Sequence, residues 1–207
     1  MEFKEFLCKP MQNKAYLASS YKRCVLFDAP IDSYNQVAPY LLENHFQLNY
    51  IILTHSHFDH IADLSRYKDK FNPSICIHKN DEFRLLNPNE HIPFGFPIKL
   101  ESVKADKYLE DNEIIKVEDM EFKILHTPGH TDGGICIEIV GERKIITGDT
   151  LFKLSVGRTD FTSGDFQLLI KSIKEKLLIY PDDYEVYPGH GDKTTIGYEI
   201  LYNKFLQ

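Results

Sequence analysis

Apolar positions along the chain fall first into the short runs of a sheet. AYLASS and CVLFDAP have strand composition, the second halted by Pro30, and together they predict a hairpin entering a core sheet. From about Ser33 the spacing becomes helical, with Tyr34, Val37 and Leu41 on one face beside Leu42. A strand follows at YIIL, directly before the stretch THSHFDH. A short helix is expected from Ile61 to Tyr67, a strand at SICIH, and a helix at NDEFRLL begun by an Asn or Asp cap. The segment Asn87–Lys99 contains Pro88, Pro93, Gly95 and Pro97 and reads as loop. A second series of strands comes next, at FKIL, ICIEIV, KIIT and YEVYP. One long helix interrupts it from about Asp165 to Ile179, where Phe166, Leu169, Ile170, Ile173 and Leu177 form an apolar stripe.

This order predicts an α/β protein of two similar halves, each a sheet covered by helices, although the halves share no clear repeat. No stretch rich in Gly, Ser or Pro marks a boundary, so residues 1–207 are expected to form a single domain. With 207 residues, 43% of them hydrophobic, the chain is long enough for one sizeable core. A formal net charge of -7 disfavours nucleic acid as the main partner. No apolar run approaches the roughly 20 residues of a membrane span, and the charged N-terminus MEFKEFLCKP does not read as a secretory signal. Cys8, Cys24, Cys76 and Cys136 are widely separated, as suits reduced thiols in the cytoplasm.

The chemistry gathers at strand ends. In THSHFDH, His55 and His57 stand two apart, so an extended backbone turns both imidazoles the same way. Asp59 and His60 are adjacent and reach the same place only if the chain turns into a helix. Four donors this close suit two metal ions better than one. His130 and His190 each follow a Pro-Gly pair, and Asp149 ends the run KIITGD. Gly and Pro let the backbone bend so that such residues leave the strand and face a cleft. A lone histidine is more often a surface or capping residue, and His45, His78, His91 and His126 are assigned there. Asp149 by itself would read as a turn residue. Crowded imidazoles and a carboxylate in THSHFDH need a common partner, with a polar loop held by mutual hydrogen bonds as the alternative to metal.

The series HxHxDH, Gly-His, Gly-Asp, Gly-His, from Thr54 to Gly191, resembles the pattern of the metallo-β-lactamase fold. That resemblance implies a four-layer αβ/βα sandwich. By position it implies one metal on His55, His57 and His130, a second on Asp59, His60 and His190, and Asp149 bridging them. Asp59 would also orient the bridging hydroxide. Zn2+ is the expected metal, with iron or manganese accepted by the same donors. An aspartate bridge, in place of the cysteine of the best-known lactamases, is similar to glyoxalase II. SVGRTDFTSGD and YPGHGDKTTIGYE are similar to the short, single-domain glyoxalase II-like hydrolases of bacteria.

The implied reaction is hydrolysis of a small-molecule thioester such as S-lactoylglutathione. Two divalent ions bring the pKa of water from about 15.7 towards 7, and a thiolate, with a thiol pKa near 8.5, leaves without a dedicated acid. In full-length glyoxalase II a basic residue at the position of Arg158 contacts glutathione, which makes Arg158 a candidate anion clamp. Its other role is an ion pair with Asp160, which stands where that family has a tyrosine. The C-terminal helical domain of the long enzymes has no counterpart before Gln207, so thioester chemistry is implied more firmly than glutathione as the carrier. The stretch GRTDF is also similar to persulfide dioxygenases, making an iron oxygenase the alternative, beside lactonase or phosphodiesterase activity within the fold.

Overall fold

The AYLASS and CVLFDAP runs pair as expected in the computed structural model, which describes residues 1–207. They form β2 (Asn13–Ser20) and β3 (Arg23–Phe27), antiparallel, with Tyr16 opposite Phe27. A further strand, β1 (Glu2–Cys8), pairs with β2 along its full length. Phe6 and Cys8 are buried, while Glu2, Glu5 and Leu7 are exposed. The charges scattered through this segment hide its period of two.

The chain forms two compact units: residues 1–108 with 117–120, and residues 109–116 with 121–207. In unit one, α1 (Ser33–Glu43) carries the chain from β3 to the parallel strand β4 (Gln47–Ile52). Beyond β4 come α2 (Phe58–Ile61) and α3 (Leu64–Phe71), then β5 (Ser74–His78), again parallel. α4 (Glu82–Leu86) follows a single 3-10 turn, and β6 (Lys107–Leu109) completes the sheet in simple sequential order. Leu26, Val37, Leu41, Ile51, Tyr67 and Ile75 are fully buried together. The single helix expected at Ile61–Tyr67 is two helices. Asp63 breaks it, because its N–H donates to Ala29 O and its carboxylate accepts from Tyr34 N and Arg66. These tertiary bonds take the place of helical ones.

Unit two holds β7 (Ile114–Val117), β8 (Met120–His126), β9 (Ile135–Ile139) and β10 (Lys144–Gly148). A small hairpin, β11 (Leu151–Phe152) and β12 (Ser155–Val156), and α5 (Phe166–Ser172) lead to β13 (Glu185–Pro188), parallel to β10. β14 (Thr194–Thr195) and α6 (Ile196–Tyr202) end the series. The long helix expected to Ile179 stops being α-helical at Ser172 and continues as a π turn over Ile173–Leu177, where Leu178 N donates to Ile173 O at 3.0 Å. On a regular helix, positions four apart drift by about 40°. The wider turn reverses that drift, so Leu169, Ile173 and Leu177 all stay buried while Phe166 reaches the surface. No helix is long and apolar enough to cross a membrane.

Candidate metal centre

In unit one the ligand-rich stretch leaves β4 and enters α2, the turn needed to bring Asp59 and His60 beside His55 and His57. The His55 and His57 rings meet edge to face at 4.8 Å, His55 and His60 lie 4.2 Å apart, and His60 Nε2 is 3.9 Å from Asp59 Oδ2. One carboxylate organises them. Asp28, just beyond β3 and buried, accepts from Thr54 N at 2.7 Å, Thr54 Oγ1 at 2.8 Å and His60 Nδ1 at 2.9 Å. Having given its proton to Asp28, the Thr54 hydroxyl accepts from His55 Nδ1 at 3.0 Å. Asn13 Nδ2 donates to Asp59 Oδ2 at 3.0 Å. Between the first two histidines, Ser56 donates through N and Oγ to Asp81 Oδ2, and Asp81 pairs with the equally buried Arg84.

Unit two assembles its donors from three strand ends. His130 follows β8 through Pro128-Gly129, Asp149 follows β10, and His190 follows β13. His130 Nε2 and His190 Nε2 each lie 3.8 Å from Asp149 Oδ2. His130 Nδ1 donates to Arg158 O at 2.6 Å. Two glycines make this closeness possible. At Gly129, φ is +135° and an added Cβ would lie 2.3 Å from Leu169 N. At Gly157 it would lie 1.8 Å from Asp149 O and 3.1 Å from His130 Nδ1.

The donors suit a metal. Asp28 and the Arg158 carbonyl can only accept, so His60 and His130 carry their ring proton on Nδ1, and the Thr54 relay sets the same tautomer at His55. The basic lone pair is then on Nε2 in each ring, the arrangement by which outer partners orient histidine ligands. Imidazole and carboxylate together are borderline donors that take zinc, iron or manganese.

Arg158 lies on the surface of the following loop. Its Nε and Nη2 donate to Asp160 at 3.0 and 2.7 Å, and its guanidinium stacks over Phe161 at 4.4 Å. The hydrogen bond from Arg158 holds the Asp160 carboxyl below the usual range. Among the histidines assigned to capping or surface roles, His78 Nδ1 accepts from Asn80 N, and His126 Nε2 donates to Asp132 O at 2.9 Å. The cysteines are buried free thiols. Burial pushes Cys136 up to about 11 and Cys8 and Cys24 up to about 12, which removes thiolate character. Asp28, Asn13 and Asp81 escape a search for ligand motifs. Only Asp28 carries a signal, standing after the apolar run CVLF as Asp149 stands after KIIT.

The family model described as the metallo-beta-lactamase superfamily matches residues 8–190. The chain is 36% identical over 199 residues to the Haemophilus influenzae protein named hydroxyacylglutathione hydrolase GloC, covering 94% of this chain and 92% of that one. Among solved structures it is similar to BLEG-1 B3 metallo-beta-lactamase, with a TM-score of 0.92 and 33% identity over 100% of both chains. It is also similar to TTHA1623 in a di-iron-bound form, with a TM-score of 0.87 and 28% identity over 98% of this chain and 100% of that one.

Proposed function

Because the chain belongs to the metallo-beta-lactamase superfamily and has its αβ/βα sandwich fold, we propose that it is a dinuclear, glyoxalase II-like thioesterase. His55, His57 and His130 hold one ion and Asp59, His60 and His190 the other, with Asp149 serving both. The observation that carries this reading is the donor chemistry. His55, His57, Asp59 and His60 stand together in unit one, and His130 and His190 flank Asp149 in unit two, each a set of nitrogen and oxygen donors suited to a metal ion. Bound divalent ions supply Lewis acidity and bring water's pKa towards about 7.

The chain's own residues do the rest. Asp59, whose Oδ2 accepts from Asn13 Nδ2, orients the attacking water. Asp28 and Arg158 O fix the tautomers of His60 and His130, so neither of these imidazoles has to reorganise during turnover. A thioester is favoured among acyl substrates because its thiolate departs without a general acid. The likeness to a protein named hydroxyacylglutathione hydrolase supports S-lactoylglutathione or a related thioester as the substrate. Arg158 contributes an anion contact through Nη1, since Nε and Nη2 face Asp160. Zinc is the proposed metal.

The test is metal analysis of the purified protein, followed by a thioester, lactone and phosphodiester panel on the same sample. Two zinc per chain with thioester turnover is the expected result. One iron per chain, with oxygen consumed on glutathione persulfide, would replace this reading by a dioxygenase.

A further inference from the structure

Every residue from Ile92 to Ile98, IPFGFPI, is apolar or glycine. Pro93, Phe94, Gly95 and Pro97 are nevertheless exposed, and the Phe94 ring is 108% exposed. An exposed apolar run of this length is a liability unless it serves a function. The run is also held in place. Ile92 and Ile98 pack against the unit-one core at either end. Phe96 N donates to Pro93 O at 3.1 Å, and Gly95, at φ +82°, supplies the positive dihedral that the third position of a type II turn requires. Phe94 is thereby fixed at the apex. The Phe96 ring packs edge to face on Phe58 at 4.9 Å, and Phe58 lies between His57 and Asp59. Two residues of backbone span at most about 7 Å, so Phe94 sits on a turn anchored against the segment that carries His57 and Asp59.

We infer that Phe94 is a specificity-determining residue: its ring forms an apolar wall for the acyl chain of the thioester. This rests on the thioesterase reading above. The loop carries no charge, so it suits the acyl portion and leaves an anionic thiol carrier to other groups. Its position is preorganised, because the turn and the Phe58–Phe96 packing hold the backbone at Phe94 before substrate arrives.

Acetyl and hexanoyl thioesters of one thiol test the wall. In F94A, kcat/KM for the hexanoyl substrate falls about tenfold while the acetyl substrate stays within about twofold, and F94L recovers most of the loss. An unchanged hexanoyl-to-acetyl ratio in F94A overturns the inference and leaves the thioesterase standing. The chain has no tryptophan, so F94W provides a single tryptophan and a readout independent of turnover. The uncleavable S-hexyl thioether of the same thiol is expected to shift its emission to the blue saturably, and the S-methyl thioether is not. If the wild type cleaves no thioester, the proposed function fails while this titration still decides: a shift upholds the wall, and no shift removes it. Loss of a dimer in F94A, seen by light scattering, would assign the run to a second copy of the chain and overturn the inference.

Discussion

In unit one, four candidate ligand side chains leave one turn between β4 and α2, and other side chains fix them: Asp28, Thr54, Asn13 and Asp81. In unit two, three candidate ligands come from three strand ends and are fixed by backbone, through the Arg158 carbonyl on His130 and the missing Cβ of Gly157 against Asp149 O. Contiguous ligands share a local fold and need only be aimed. Ligands from distant strands are aimed by the sheet and need room to approach. The first cluster is therefore vulnerable to loss of a hydrogen-bonding group, and the second to gain of a methyl group.

The largest effect is expected where the proposed centre has no substitute. Asp149→Ala removes the carboxylate lying 3.8 Å from both His130 Nε2 and His190 Nε2. Metal retention after gel filtration and hydrolysis should disappear together, and wild-type turnover would sink the bridging role. Next comes Gly157→Ala. The added Cβ would lie 1.8 Å from a backbone oxygen, which no side-chain rotation relieves. A shift of about 1 Å in the ligand loop should cost roughly 100-fold in turnover, with the circular dichroism of the folded chain retained. Near-normal turnover would show that backbone room does not govern the second cluster.

Asp28→Asn probes the first cluster without changing its packing. An amide has one acceptor oxygen and a donating NH2 group, so it cannot serve the three donors that Asp28 accepts. His60 or Thr54 then faces a donor. Loss of such an outer partner lowers metal affinity about 10- to 100-fold, measurable by competition with a chelator. Unaltered affinity would break the claim that side chains aim this cluster.

The same contrast explains what could be read from the sequence. His55, His57, Asp59 and His60 are legible because they are contiguous, and their spacing already implies the turn. His130, Asp149 and His190 are legible one by one, each after an apolar run, two of them after Pro-Gly. Asp28 acts on His60 from 32 residues away and has no companion beside it. The carbonyl that Arg158 offers His130 is invisible for a simpler reason: every residue has one. In the fold, the hairpin and most strands follow from their apolar runs. β1 is masked by Glu2 and Lys4, charges on the same face as Phe6 and Cys8, and the break at Asp63 depends on partners at Ala29 and Tyr34 that a local pattern does not contain.

Thr54→Val gives the smallest effect and sharpens the comparison most. Valine keeps the shape of this buried residue and removes only the hydroxyl that links His55 Nδ1 to Asp28. Asp28 still accepts from the residue-54 N–H and from His60, so metal affinity should fall only severalfold, less than in Asp28→Asn. In urea denaturation of the metal-free protein, Thr54→Val should cost about 1–2 kcal/mol for the buried acceptor taken from His55. Combined with Asp28→Asn it should cost less than the sum, because both changes break one hydrogen-bonded chain. Combined with Gly157→Ala the losses should add within about 0.5 kcal/mol, since the two substitutions act in different units and share no hydrogen-bond partner. Strong coupling in that second pair would mean that the clusters are aimed by one network, and the division between side-chain and backbone control would have to be abandoned.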